Sequence, residues 1–226
     1  MQPPDAPTAF LFKLWPWIET NKYRVITGTV ILLVAIFVYS FFSWHGQQKE
    51  IAAGRAITQL LLTAAPGAGE GQWADGFLKI ARQYPGTPAG KRAWLQGAMA
   101  LFTAGRFADA QAQFQKILDT YPDSDFSASA ALGAGASLEA LGKLDAAASA
   151  YQQVINGFSS DLVAATTAKF ALARIDGQQG KISDALNLYD SIARTSPAGP
   201  VGQEAMLRAM ELRTKLATAT TAPGQP

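Results

Sequence analysis

The stretch GRFADAQAQFQKILDTYPDS, residues 105–124, occurs twice more in altered form. The copies are GKLDAAASAYQQVINGFSS at residues 142–160 and GKISDALNLYDSIARTSPA at residues 180–198. Their first glycines lie 37 and then 38 residues apart, and residues 77–87 match the rear half of the first copy one period earlier. A period this constant indicates stacked supersecondary units. The positions that recur in all three copies are a glycine (Gly105, Gly142, Gly180), an alanine (Ala110, Ala147, Ala185) and an aromatic residue (Phe114, Tyr151, Tyr189).

Each unit has the pattern of two helices joined by a short turn. Residues 94–102 and 107–118 carry apolar side chains at three- and four-residue steps, with Gly105 between them and Pro122 after them. Nothing alternates with a period of two over a useful length, so no sheet is expected. One helix pair cannot cover its own apolar stripe, and neighbouring pairs must stack. The sequence therefore predicts an all-α solenoid of about four helical hairpins over residues 45–217.

The recurring residues have mechanical roles in this prediction. The glycines allow the tight turn between paired helices, the alanines allow close helix crossing, and the aromatic residues fill the space between pairs. A row of aromatic residues that stacks on a ligand is the alternative, but the spacing favours core packing. Residues 201–216 form one further amphipathic helix, expected to cap the array with charges on its outer face. Residues 218–226 are expected to be a disordered tail.

Residues 25–44, VITGTVILLVAIFVYSFFSW, contain no charged residue. A helix of this length matches the hydrocarbon thickness of a bilayer, so a transmembrane helix is predicted. A buried helix of a soluble protein and a cleaved signal peptide are the alternatives. The long preceding segment and the absence of a small-x-small cleavage pattern argue against a signal peptide. Residues 1–24 are read as a tail whose aromatic stretch, residues 9–19, is a short interfacial helix or a docking peptide for a cytoplasmic partner.

Flanking residues give the expected orientation. Lys22 and Arg24 directly precede the apolar segment, and the positive-inside bias places that end in the cytoplasm. Tyr23 and Trp44 suit the two interfacial aromatic belts. The apolar segment would then cross the inner membrane of a diderm bacterium, and the repeats would lie in the periplasm.

Little in the sequence indicates a catalytic, metal-binding or nucleic-acid-binding site. The net charge of +2 does not favour nucleic acid as a partner, and the chain has no cysteine. The single histidine, His45, has no nearby carboxylate in sequence. Asp123 and Asp125 could suggest a metal loop, but Ser124 and Asp125 are also usual helix-start residues after a turn, and the second interpretation is preferred. No phosphate loop, nucleophile elbow or zinc spacing occurs. We predict no enzyme, no cofactor, no metal and no small-molecule substrate.

The recurring glycine, alanine and aromatic positions, with Trp94 and Pro122 at signature places, resemble the tetratricopeptide repeat. The resemblance implies a binding groove lined by the first helix of each pair, with other proteins as partners. The set is notably apolar for an exposed surface, and an exposed apolar strip usually marks a protein-binding site. Ordinary core packing in a long-period repeat, or burial against neighbouring helices, is the alternative for these residues. The groove residues it implies are Arg92, Leu95, Met99 and Phe102 from the second repeat, Leu132 and Glu139 from the third, and Phe170 and Arg174 from the fourth.

The layout as a whole is similar to the ancillary subunit family of the SecYEG translocon. The similarity rests on an aromatic segment ending in ETNK at residues 19–22, one span, and an alanine-rich first helix beginning near Gln47. It implies a membrane-anchored, chaperone-like adaptor that associates with the translocon and with periplasmic chaperones. A structural accessory subunit of a respiratory, photosynthetic or envelope-assembly complex is the alternative.

Overall fold

The computed structural model describes residues 19–63 and 69–221, and in these residues all regular structure is helical. The predicted all-α class is confirmed. The predicted interfacial segment at residues 9–19 lies almost entirely outside the described residues, as does the end of the predicted tail, residues 222–226. The helices are α1 (Lys22–Thr63), α2 (Glu70–Gln83), α3 (Pro88–Thr103), α4 (Phe107–Thr120), α5 (Ser127–Ala140), α6 (Leu144–Gly157), α7 (Leu162–Gln178), α8 (Ile182–Thr195) and α9 (Pro200–Thr221).

The described residues divide into two compact units, with the boundary between Ala52 and Ala53. In the second unit, α3 pairs with α4, α5 with α6 and α7 with α8, and each pair packs on the next. The first pair is formed by the end of α1 and α2, because Ile57 and Leu60 pack against a core cluster containing Phe77 and Ile80. Helix α9 packs on α8 and ends the described array. This arrangement is the predicted solenoid.

The turn glycines adopt the backbone conformation that the prediction requires. Gly105, Gly142 and Gly180 have φ values of 75°, 72° and 77°, in the left-handed region. Each glycine N–H donates to the carbonyl three residues back, and the next residue's N–H donates to the carbonyl five residues back, as Arg106 does to Leu101. These two bonds satisfy carbonyls that the end of a helix leaves free. The glycine therefore ends the first helix of a pair and sets the entry to the second.

The repeat alanines and aromatic residues are buried as predicted. Ala110, Ala147 and Ala185 are fully inaccessible to solvent, at the positions where paired helices cross. Two glycines of α5 permit close packing of the aromatic rings. A Cβ on Gly133 would lie 2.5 Å from the Phe114 ring, and one on Gly135 would lie 2.9 Å from the Tyr151 ring. Helix α5 therefore packs closely between two aromatic residues, because a glycine without a side chain lies at each contact.

Helix α1 is the one helix in the described residues that is long and apolar enough to cross a membrane, judged by length and composition. Its apolar side chains in residues 26–44 are exposed. Thr27 and Thr29 donate their hydroxyl hydrogens to the carbonyls of Tyr23 and Val25, four residues back. These hydroxyls therefore have partners within the helix.

Two helix boundaries differ from the sequence predictions. No new helix begins near Gln47, because α1 continues without a break to Thr63. Single glycines such as Gly46 and Gly54 cost a helix only about 1 kcal/mol each, and no proline interrupts this region. At the other end, α9 extends to Thr221 and includes residues 218–221 of the predicted tail. The Thr218 hydroxyl donates to the carbonyl of Thr214, and the first proline after it is Pro223.

Candidate functional site

An apolar groove of about 470 Å³ runs across the first helices of three successive pairs. Its walls come from α3, α5 and α7, which carry Met99, Leu132 and Ala171 respectively. Helices α3 and α5 contact each other, as do α5 and α7, so the groove is continuous from one repeat to the next. Its volume is in the range of ligand pockets in proteins.

Aromatic residues of the second helices form the base of the groove. Phe114 of α4 and Tyr151 of α6 line it, although each side chain is almost completely buried. Phe102 of α3 packs edge-on against Phe107, with ring centroids 5.1 Å apart. The groove therefore has a firm apolar base, and the solvent-exposed apolar surface comes mainly from Met99, which is 54% exposed.

A polar network spans α5, α6 and α7 beside the groove. The Tyr151 hydroxyl donates to Glu139 Oε2 at 3.1 Å, and Arg174 donates to the same oxygen at 2.9 Å and forms an ion pair with that carboxylate. Burial raises the pKa of the Tyr151 phenol well above its ordinary value, and the Glu139 carboxylate raises it further, whereas Arg174 opposes the shift. Tyr151 is therefore a neutral hydrogen-bond donor, and half-exposed Arg174 carries the charge that the groove presents to solvent.

A second, shallower depression of about 390 Å³ adjoins the first. Leu61, Trp73 and Phe77 line it, and Met99 and Thr103 line both depressions. The side-chain oxygen of Gln96 in this depression is buried and has no hydrogen-bond partner among the described residues. A buried acceptor without a partner costs about 1–3 kcal/mol.

The structure brings together most of the residues predicted for the groove. Leu95, Met99, Phe102, Leu132 and Arg174 line it, and Glu139 is bonded to Arg174. The other two predicted residues lie elsewhere. Arg92 is exposed and does not line the groove, and Phe170 packs on Tyr189 in a separate depression.

The sequence prediction missed several lining residues. Phe114 and Tyr151 were predicted to pack in the core, with a ligand-stacking row as the alternative; they are core residues that also form the base of the groove. Thr167 and Ala171 of α7 were not predicted. The repeat offset would have found Ala136, another lining residue, because it lies 37 residues after Met99 and 38 residues before Arg174, both of which were predicted.

The stacked helix pairs and the groove across their first helices define a protein-interaction scaffold. The sequence matches the tetratricopeptide repeat-like domain over residues 16–133, just over half of the chain, and the tetratricopeptide repeat over residues 129–160. The chain belongs to the tetratricopeptide repeat-like domain family. No curated protein gives a significant match.

Solved structures with the same fold share little sequence with this chain. Two of them are crystal structures of nearly identical TPR-like repeats, assigned to a kinesin light chain of Podosopora anserina, one of which carries a single substitution. The substituted form gives a TM-score of 0.52 and the other 0.51, both at 14% identity. Each alignment covers 77% of this chain and 89% of the other. At this identity the similarity concerns the fold alone.

Proposed function

We propose that this protein is a membrane-anchored, chaperone-like adaptor that holds an apolar segment of another polypeptide in the groove. The observation that carries the proposal is the exposure of Met99 in a groove with an aromatic base. Exposed apolar surface of this kind commonly marks a protein-binding site.

The anchor in this proposal is the uncharged part of α1, residues 25–44. Its exposed apolar side chains suit a lipid environment, and the hydroxyls of Thr27 and Thr29 have their hydrogen-bond acceptors within the helix. Lys22 and Arg24 favour a cytoplasmic N-terminus in a bacterial inner membrane, with the repeats in the periplasm. Anchoring raises the local concentration of the groove near polypeptides that emerge from the membrane.

The partners proposed are the protein translocon and periplasmic chaperones, on the resemblance to the ancillary SecYEG subunit family. Affinity purification of the full chain from detergent-solubilised membranes, followed by mass spectrometry, tests this assignment. We expect translocon subunits in the eluate. A stoichiometric set of subunits from another membrane complex, with no translocon subunit, would contradict it.

The role of the groove is tested by Met99→Glu in the same purification. Met99 is exposed, so the substitution places a charge in the groove without opening a core cavity, and we expect recovery of the partner to fall at least tenfold. Phe102 and Phe170 are less suitable, because both pack against other aromatic residues. Leu162→Glu is the matched control, since Leu162 is 68% exposed and does not line the groove. Equal recovery with both variants would exclude the groove as the binding site.

A second candidate is a structural accessory subunit of another membrane complex. It is favoured by Gly28, where an added Cβ would meet no atom within 4 Å. A small residue on an exposed apolar helix permits close approach of another membrane helix. The purification distinguishes the two functions, because a bracing subunit would retain its complex when Met99 is changed to Glu.

A further inference from the structure

The outer face of α9 carries exposed apolar residues beside the charges that were expected there. Leu207 and Met210 are each 56% exposed. The residues that α9 buries against the rest of the array are on its other side, at Gly202, Ala205 and Ala209. A terminal repeat in a solenoid normally presents a polar outer face to solvent. This departure from the expected cap requires an explanation.

The repeat register shows which surface these residues occupy. Met210 is equivalent to Ala98, Gly135 and Ala173, at offsets of 37, 38 and 37 residues, and all three of those are buried. In two earlier repeats this position packs toward the aromatic residue of the following helix, as Gly135 does with Tyr151 and Ala173 with Tyr189. Leu207 is equivalent by the same offsets to Phe170, which also packs on Tyr189. In the described residues no helix covers this surface of α9.

The change from a small residue to methionine at this position indicates what kind of helix covers it. Ala98, Gly135 and Ala173 allow the next helix of the same repeat to approach closely. Met210 occupies that space, so an ordinary second helix could not pack there at the same distance. The surface therefore suits a helix that interdigitates long side chains with Leu207 and Met210.

The charged residues beside this surface would pair with the same residues of a second α9 helix that runs in the opposite direction. Glu204, Arg208, Glu211 and Lys215 line one depression together with Leu207 and Met210. Their signs alternate along the helix: negative, positive, negative, positive. When a second α9 lies antiparallel, with the twofold axis between Ala209 and Met210, Glu204 is opposite Lys215 of the other copy. Arg208, which also pairs with Glu204 and Glu211 of its own helix, is then opposite Glu211 of the other copy, so every charge on this flank faces an opposite charge.

We infer that the outer face of α9 binds a second copy of this chain, and that the two α9 helices pack antiparallel about a twofold axis. Leu207 and Met210 form the apolar centre of the contact, and the four alternating charges form its rim. The surface is self-complementary, as a twofold interface requires. Because the contact involves one helix face from each copy, we expect affinity in the micromolar range. This site is separate from the groove.

The polypeptide mass of the full chain in detergent tests the inference. Light scattering combined with gel filtration should give the 24.0 kDa monomer at about 1 μM and approach twice that mass at about 100 μM. Met210→Glu should abolish the change in mass. Met99→Glu is the matched control, because Met99 is an equally exposed methionine that lies in the groove. A monomer at every concentration would overturn the inference, even if the groove still bound its partner.

The direction of packing is tested by cross-linking, for which the absence of native cysteine is an advantage. Under oxidation, Met210→Cys should form a disulfide-linked dimer, and a mixture of Glu204→Cys and Lys215→Cys chains should cross-link to each other. Cross-linking of Glu204→Cys chains to themselves would overturn the antiparallel arrangement.

A charge exchange gives an independent test of the rim. Lys215→Glu alone should shift the monomer–dimer transition to at least threefold higher concentration, because it places two carboxylates opposite each other at both ends. The double change Glu204→Lys with Lys215→Glu restores complementarity and should restore the transition. Failure of the double variant to recover would exclude this register.

Discussion

At the scale of single residues, the turn glycines matter for their backbone conformation. Gly142 has a φ of 72°, and an added Cβ would meet no atom within 4 Å. Any cost of a substitution here therefore arises from backbone conformation and not from a steric clash. The same residue ends α5 and positions the start of α6, so its conformation determines how one pair of helices closes.

Gly142→Ala should lower the free energy of unfolding by about 1 kcal/mol. An L-residue in the left-handed region costs about 1–2 kcal/mol, and the loss of unfolded-chain entropy offsets part of that cost. Gly157→Ala is the control, because Gly157 is helical, has no positive φ and has open space at its Cβ. Urea denaturation followed by circular dichroism should show the first variant destabilised and the second unchanged or stabilised. Equal effects would contradict the assigned backbone conformation.

Tyr151, at the base of the groove, should make the stability of the folded protein depend on pH above about 10. Burial and Glu139 raise its pKa above the value of about 10 expected in the unfolded chain. The folded state then retains a proton that the unfolded state loses above pH 10. The stability associated with neutral Tyr151 is therefore complete below about pH 10, and it is lost as the pH rises toward the raised folded-state pKa.

Tyr151→Phe should remove this alkaline dependence. At pH 8 the variant lacks the hydrogen bond to Glu139 and should be less stable by about 1 kcal/mol. Above pH 10 the wild-type protein should lose stability relative to the variant by about 1.4 kcal/mol per pH unit, so the two curves converge. Urea denaturation at several pH values between 8 and 11 measures both. Curves that stay parallel would show that Tyr151 ionises equally in both states.

At the scale of helices, the sequence correctly predicted helix ends where the residue pattern repeats. Gly105, Gly142 and Gly180 marked the ends of the first helices of three pairs, and the structure ends helices there. The start of α5 was harder to predict. Ser124 and Asp125 were expected to begin the helix, but Ser127 begins it, and the Ser127 hydroxyl donates to the carbonyl of Tyr121. Three polar residues close together in sequence compete for this role, and tertiary packing selects among them.

The candidate groove was predictable in part, for a physical reason. The periodicity identifies which helix of each pair lines the groove, and five of eight predicted residues do line it. Periodicity does not give the depth of each side chain. Phe170 is removed from the groove because it packs on Tyr189. Tyr151 can pack closely on α5 at the base of the groove because Gly135 has no side chain where the ring lies. These contacts join residues far apart in sequence.

At the scale of the whole molecule, the two units differ in composition and in packing. Residues 25–44 contain no charged residue, whereas the described residues from Ala53 to Thr221 form a helical array with its own core. The proposed function requires the first unit to span a membrane. Alkaline carbonate removes peripheral proteins but not spanning helices, so extraction of isolated membranes tests this requirement. We expect the full chain to stay in the membrane pellet.

Leu33→Arg combined with Val34→Arg should release the protein into the soluble fraction. The two arginines lie at the centre of the apolar segment, where each costs about 2.5–3.5 kcal/mol for insertion. Leu162→Arg combined with Val163→Arg is the control, because it adds the same charge at exposed apolar positions of α7. The control should remain in the pellet, since its anchor is intact. Release of the wild-type chain by carbonate would refute a spanning helix, and retention of both double variants would show that another segment holds the protein to the membrane.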